Sequence, residues 1–261
     1  METTSLFATS KDGTRIAYEK SGTGPVLIMI DPAGGYHGWR PMADLIPLLD
    51  SHFTVVTYDR RGRGYSTDTL PYSADRELDD LEALIDAVGG PVHLFGFSSG
   101  AVLNLLAAAR GLPVSKIISL EPPLESYDEP LPPSELETEI ADLVAKGQRR
   151  EAHFHFNRSI GVPEEVMEQE HQNSNWDELE AMAHTMVYDL TIIRSLPVPQ
   201  LAAIMTPTLV VASDATGDFM LNWTKATADT LPNGEHLVLH GDWHGVPADV
   251  LAPKMIEFLN R

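Results

Sequence analysis

The sequence predicts an α/β fold with a largely parallel sheet, and three observations carry that prediction. Short apolar runs alternate with longer stretches of helical spacing over both ends of the 261-residue chain. The run Pro25-Val26-Leu27-Ile28-Met29-Ile30 is continuously apolar, as expected of a strand covered on both faces. The pattern strand, turn, helix recurs, and it favours βαβ crossovers over hairpins. The length suits one large domain or two small ones, and no internal repeat or low-complexity tract divides it.

Taken in order, residues 5–9 and 14–20 are expected to pair as strands around the turn Lys11-Asp12-Gly13. Strand 25–30 ends in the loop Asp31-Pro32-Ala33-Gly34-Gly35-Tyr36, and helical spacing follows at 41–50. Phe53–Tyr58 reads as a strand closed by the polar loop Asp59-Arg60-Arg61-Gly62-Arg63-Gly64-Tyr65-Ser66. Leu78, Leu81, Leu84 and Ile85 lie at helical intervals among carboxylates, which predicts an amphipathic helix over 74–88. Pro91–Phe97 is the next strand, Ser98 the turn, and an alanine- and leucine-rich helix opens just after it. Strand 116–120 ends at Glu121, and prolines 122, 123, 130, 132 and 133 mark a crossing segment. Helices near 134–147, 163–171 and 176–194 follow without a clear strand. The alternation resumes with strand 207–212, a helix near 218–231, strand 235–240 and a closing helix near 248–260. The expected organisation is therefore a core of residues 1–123 and 205–261, with 124–204 a helical insertion over the C-terminal edge of the strands, where such sheets bind ligands.

Composition excludes several classes. There is no cysteine, so disulfides, thiolate catalysis and cysteine metal sites are all absent. The formal net charge of −20 repels phosphate backbones and anionic membrane surfaces, so neither nucleic acid nor membrane is an expected partner. No apolar run approaches the ~20 residues of a membrane span, and no signal peptide is evident. A cytoplasmic location is the expectation, and the oligomeric state is unspecified.

The chemistry-bearing motif is Gly96-Phe97-Ser98-Ser99-Gly100. Set between a strand and a helix, Gly-x-Ser-x-Gly forms a sharp turn that lifts the serine hydroxyl above the sheet edge. The helix N-terminus beneath it favours negative charge. A serine nucleophile needs a base and a group to orient that base. The best-placed base among ten histidines is His244, after the last strand and before the last helix.

On these residues the chain resembles the α/β-hydrolase superfamily. The features that carry the resemblance are the loop after Ile30, Asp59-Arg60-Arg61-Gly62-Arg63-Gly64-Tyr65-Ser66, Gly96-x-Ser98-x-Gly100 and His244. The resemblance implies the α/β-hydrolase fold, a lid at 124–204, and a triad of Ser98, His244 and an acid. Gly96–Ala101 together with Glu121 is also similar to the zearalenone-type lactone hydrolases. Two departures matter. Where most members have His-Gly this chain has Asp31-Pro32, and proline has no N–H to donate. The expected oxyanion donors are therefore the Ala33 and Ser99 amides. Thr216 stands where many members place the acid, which leaves Glu121, Asp218 and Asp214 as candidates, Glu121 being favoured.

The residues expected to contact substrate are Asp31, Gly34, Tyr36, Phe97, His184 and Trp243, with Trp39, Phe154 and Met186 as further wall candidates. Asp31 reads equally well as an acceptor that fixes its loop. Arg60, Arg61 and Arg63 could suggest phosphate binding, but the superfamily resemblance implies that they tie down their loop. His153-x-His155 lacks a third ligand, so no metal is expected, and no cofactor. The expected activity is a cofactor-free serine hydrolase acting on a small hydrophobic carboxylic ester or lactone. A peracid-forming or carbon–carbon hydrolase with the same triad, and a non-hydrolytic or ligand-binding member such as an isomerase or cyclase, are the alternatives. A serine at 98 argues against dehalogenase and epoxide-hydrolase chemistry, which use an aspartate there.

Overall fold

The computed structural model describes residues 5–125, 127–173 and 175–261. The strands are β1 (Leu6–Thr9), β2 (Arg15–Ser21), β3 (Val26–Ile30), β4 (Thr54–Tyr58), β5 (Val92–Phe97), β6 (Val114–Leu120), β7 (Thr208–Ser213) and β8 (Gly234–Leu239). They form one eight-stranded sheet in the order β1-β2-β4-β3-β5-β6-β7-β8. β1 and β2 make the expected hairpin and β2 lies antiparallel to β4; every later pairing is parallel. The hairpin turn is closed by the Thr14 carbonyl accepting from Ser10 N–H, and by Gly13 at φ +87°.

The central strands are apolar at successive residues because helices cover both faces. Ile28, Leu94, Ile117 and Val210 face one core, and their chain neighbours Leu27, Phe95, Ile118 and Leu209 face the other. The first core is covered by α2 (Ala74–Val88) and α3 (Ser99–Ala109), the second by α1 (Ile46–Leu49) and α11 (Ala248–Asn260). α10 (Asp218–Thr230) packs on β7 and β8. The helix expected at 41–50 is instead a 3-10 turn, Ala43–Leu45, followed by the single turn α1, which starts with Pro47 in its first positions. Proline is tolerated there, where its missing N–H breaks no helical bond, and Pro47 thus marks a new helix start rather than mid-helix.

Among the described residues between β6 and β7 the elements are helices: α4 (Glu135–Ala145), α5 (Arg149–Ser159), α6 (Glu164–Asn173), α7 (Trp176–Ala181), α8 (Thr185–Ile193) and α9 (Val198–Leu201). Two differ from expectation. α5 had no clear signal, because its buried side is narrow: only Ala152, His153 and Phe156 are buried along an otherwise polar helix. The stretch expected as one helix over 176–194 is two, α7 and α8, broken at Met182–His184, where the Thr185 hydroxyl donates to the Met182 carbonyl at 2.8 Å. α4 begins in a capping box: Ser134 accepts from Glu137 N–H, and Glu137 accepts from Ser134 N–H. The same Glu137 carboxylate receives Arg194 Nε at 2.8 Å and the Thr191 hydroxyl at 3.0 Å, so one side chain starts α4 and ties it to α8. Among the described residues no helix is long and apolar enough to cross a membrane.

Candidate active site

β5 delivers Ser98 to the C-terminal edge of the sheet. Ser98 N–H donates to the Leu120 carbonyl at 2.9 Å, continuing the β5–β6 pairing, and Ala101 N–H then bonds back to the Ser98 carbonyl at 2.9 Å, already inside the helical turn. The reversal from strand to helix is thus made at one residue, and Ser98 takes φ 53°, ψ −121° to make it. The flanking glycines are required by close approach. A Cβ on Gly96 would lie 2.2 Å from the Gly100 carbonyl oxygen, and one on Gly100 would lie 2.4 Å from that of Ile30. The Ser98 side chain does not cap α3, which its position at the helix start would otherwise favour.

Glu121 lies one strand over at the same level, since Phe97 pairs with Leu120; neighbouring strands are about 4.8 Å apart. Its N–H donates to the Val211 carbonyl at 2.9 Å, and the backbone then turns to φ 47°. The side chain is wholly buried and fully used: Oε1 accepts from Ser213 N–H at 2.8 Å, and Oε2 lies 2.6 Å from His244 Nδ1. His244 sits in a tight turn closed by Asp242 N–H donating to the Gly245 carbonyl at 3.0 Å, and it too has a left-handed backbone, φ 50°. Its ring packs 4.9 Å, centroid to centroid, from Phe97, the residue before Ser98. Among the described residues, Ser98, Glu121 and His244 are the only non-glycine residues with positive φ. The two other acids lie elsewhere. Asp214 is exposed and engages His240 at 3.2 Å and Gly241 N–H at 3.1 Å, and Asp218 is exposed at the start of α10.

The loop after β3 holds the candidate oxyanion donor Ala33. Among the described residues, neither the Ala33 nor the Ser99 amide donates to a protein acceptor. Gly34 stands in the turn at φ +75°. Asp31 is buried and ion-paired with Arg40, so the loop-fixing role fits it and a substrate contact does not. Burial pushes its carboxyl up to about 6 against the pull of Arg40 and Arg63. Tyr36 is likewise buried, its hydroxyl donating to Glu178 and its ring packed with Leu179 and Met182, so it docks α7 on the loop and is not an open wall. Arg60, Arg61 and Arg63 are all buried and committed to carboxylates, as expected of a loop tied down.

The model of the alpha/beta hydrolase family matches residues 32–252. The chain belongs to that family. It is similar to the structure of an alpha/beta hydrolase from Sphaerobacter thermophilus, with 40% identity, a TM-score of 0.87, and coverage of 97% of this chain and 100% of that one. It is 27% identical to the bifunctional esterase/perhydrolase DCH of Acinetobacter calcoaceticus over 97% of this chain and 99% of that protein. The fold also matches the enol-lactonase of Burkholderia xenovorans at a TM-score of 0.77 and 18% identity, covering 98% and 100% of the two chains.

In this alpha/beta hydrolase the remaining sequence candidates divide. Phe97 and Trp243 flank the His244 ring, at 4.9 and 5.5 Å. His184 points to the loop after β4, 3.3 Å from Asp68 and edge-on to Tyr188. His155 is held by Glu139 at 2.7 Å and His153 by Asn157 at 3.0 Å, so the pair does not converge on one point. A groove of about 970 Å³ runs between α2, the end of α3 and the inserted helices, but Ser98, Glu121 and His244 are not among its lining residues. The inserted helices pack a buried apolar cluster of Ile140, Ala152, Phe156 and Met186 against Ala33. Two residues of the site had not been singled out. Ser213, the last residue of a wholly buried strand, gives its N–H to Glu121 and its hydroxyl to the Asp242 carbonyl at 2.7 Å, so it braces acid and histidine loop together. Asp189, on α8, is the partner of two of the loop arginines.

Proposed function

We propose that the protein is a cofactor-free serine hydrolase that cleaves a small hydrophobic ester or lactone through an acyl-enzyme. The reading rests on one observation above the others: the residues expected as nucleophile, base and acid are, among the described residues, the three non-glycines with left-handed backbone, and two of them are hydrogen-bonded to each other. Such strain costs about 1–3 kcal/mol per residue and persists where the surroundings over-determine it, typically at active sites. In this mechanism Glu121 holds the Nδ1–H tautomer of His244, which leaves Nε2 to accept the Ser98 proton. Ser98 Oγ attacks the carbonyl carbon, and the charge developing on the carbonyl oxygen is met by the Ala33 and Ser99 amides. His244 returns the proton to the departing alkoxide. Water, deprotonated by His244, then attacks the acyl carbon, and Ser98 Oγ leaves and regains a proton.

The helical insertion serves as the lid in this reading: its buried apolar cluster of Ile140, Ala152, Phe156 and Met186 packs against Ala33 and keeps water from that side of the loop. Peracid formation is the second reading, favoured by the bifunctional esterase/perhydrolase among the relatives; hydrogen peroxide would replace water at the acyl carbon. The test is labelling with a fluorophosphonate, followed by a panel of aliphatic and aromatic esters and lactones. A stoichiometric adduct on Ser98 with turnover of at least one panel member is expected. An unreactive Ser98 in folded protein contradicts the reading.

A further inference from the structure

Asp189 is wholly buried on α8, an inserted helix, yet its carboxylate is shared between the residue after Ser98 and two arginines of the loop after β4. Oδ2 accepts from Arg63 Nη2 at 2.6 Å. The other amino group of the same guanidinium, Nη1, donates to the Pro32 carbonyl at 2.8 Å and the Gly35 carbonyl at 3.4 Å, which bracket Ala33 and Gly34. Oδ1 accepts from the Ser99 hydroxyl at 2.7 Å and from Arg60 Nη1 at 2.6 Å. Arg60 is anchored in turn by Glu77, at 2.7 and 2.8 Å. Burial works against an ionised Asp189, but Arg63, Arg60 and the Ser99 hydroxyl outweigh it and hold the carboxyl below its ordinary range.

We propose that Asp189 is a positioning residue for the oxyanion hole, setting the Ala33 amide through Arg63 and the Ser99 amide through the Ser99 hydroxyl, and so linking the seating of α8 to acyl transfer. The proposal rests on the hydrolase reading above. The need for such a brace follows from the loop itself. Pro32 removes the donor that a residue there would offer, so the loop's contribution falls on Ala33, next to Gly34 and Gly35. Glycines leave a backbone mobile unless something external fixes it. Donors aimed at an oxyanion act mainly in the transition state, so loosening them lowers kcat and leaves KM nearly unchanged. A displacement of about 1 Å is enough to cost on the order of 100-fold.

The experiment compares Asp189→Asn and Ser99→Ala with the parent on one good ester, and measures inhibition by a boronic acid that mimics the tetrahedral intermediate. Ser99→Ala keeps both arginine pairs of Asp189, so it remains informative if Asp189→Asn does not fold. The expected result is kcat lowered about 100-fold in Asp189→Asn and by a smaller factor in Ser99→Ala. KM should stay within about twofold, and boronate affinity should fall in step with kcat/KM. A merely structural role would lower the melting temperature without moving kcat and boronate affinity together. Folded variants with the parent's kcat and boronate affinity overturn the proposal. Ser98→Ala run alongside separates the two claims. If it still turns over, the hydrolase reading fails; if it is dead while Asp189→Asn and Ser99→Ala both behave as the parent, only the role of Asp189 fails.

Discussion

Left-handed backbone at a serine, a glutamate and a histidine is a burden that each of these side chains would avoid on its own. At Ser98 it is forced by the turn between β5 and α3, and Gly96 and Gly100 make room for it. At Glu121 and His244 it aims two side chains at one another from loops following different strands. Ser98 and His244 were legible in the sequence because each sits in a local pattern, a glycine-flanked turn and a loop between the last strand and last helix. The carboxylate partner of His244 was not legible to the same degree, because choosing it requires knowing which strand lies beside β5. The structure pairs β6 with β5 and hydrogen-bonds Glu121, not Asp214 or Asp218, to His244. Replacing Glu121 by Gln keeps the shape, but Ser213 N–H claims the one remaining oxygen, so an NH2 donor faces Nδ1 and the charge that steadies the imidazolium is lost. A loss of about 10⁴ in kcat is expected, the scale seen for such a change in a serine protease. Asp214→Asn and Asp218→Asn should stay within about twofold. Steady-state rates of the three variants on one ester check this, and a Glu121→Gln protein with parental kcat removes Glu121 from the mechanism.

The loop from Asp59 to Ser66 shows what three neighbouring arginines do when each has its own element to hold. Arg60 joins α2 to α8 through Glu77 and Asp189, Arg63 joins α8 to the loop after β3, and Arg61 joins α2 to the hairpin turn. Arg61 binds Asp80 through two nitrogens at 2.8 and 2.7 Å and reaches Asp12 at 3.0 Å. Burial raises the Asp12 carboxyl, but hydrogen bonds from Thr14 and Arg61 outweigh it and bring it down to about 2. A carboxyl held below its unfolded value stabilises the fold above about pH 4, and that contribution is lost as the pH falls toward 2. Asp12→Asn should therefore melt below the parent at neutral pH, with the gap closing between about pH 4 and pH 2. Thermal melts over that range test it, and a gap independent of pH contradicts it. That the arginines tie down their loop was implied by the family resemblance; their partners were not legible, because they lie on α2, on α8 and in the hairpin turn. Helices α2 and α11 were readable because their apolar stripes are regular, whereas α5, with its narrow buried side, left no comparable trace.

Over the whole molecule, two cores on opposite faces of one sheet hold the strand ends in register, and that register is what brings residues 98, 121 and 244 to one edge. The alternation of strands and helices was enough to foresee the sheet. It was not enough to foresee contacts such as Ser99 to Asp189, 90 residues apart, because nothing local in either residue marks the other. The helical insertion is where pattern and outcome diverge most, since its helices pack on one another and on the core through irregular, partly polar surfaces. Acylation of Ser98 in the proposed mechanism is tested most directly by mass spectrometry of the intact protein, quenched in acid during turnover of an ester, with peptide mapping of the adduct. A mass gain equal to the acyl group is expected, located on the peptide carrying Ser98 and lost in Ser98→Ala. Turnover that continues in Ser98→Ala, or an acyl group found on another residue, would contradict it.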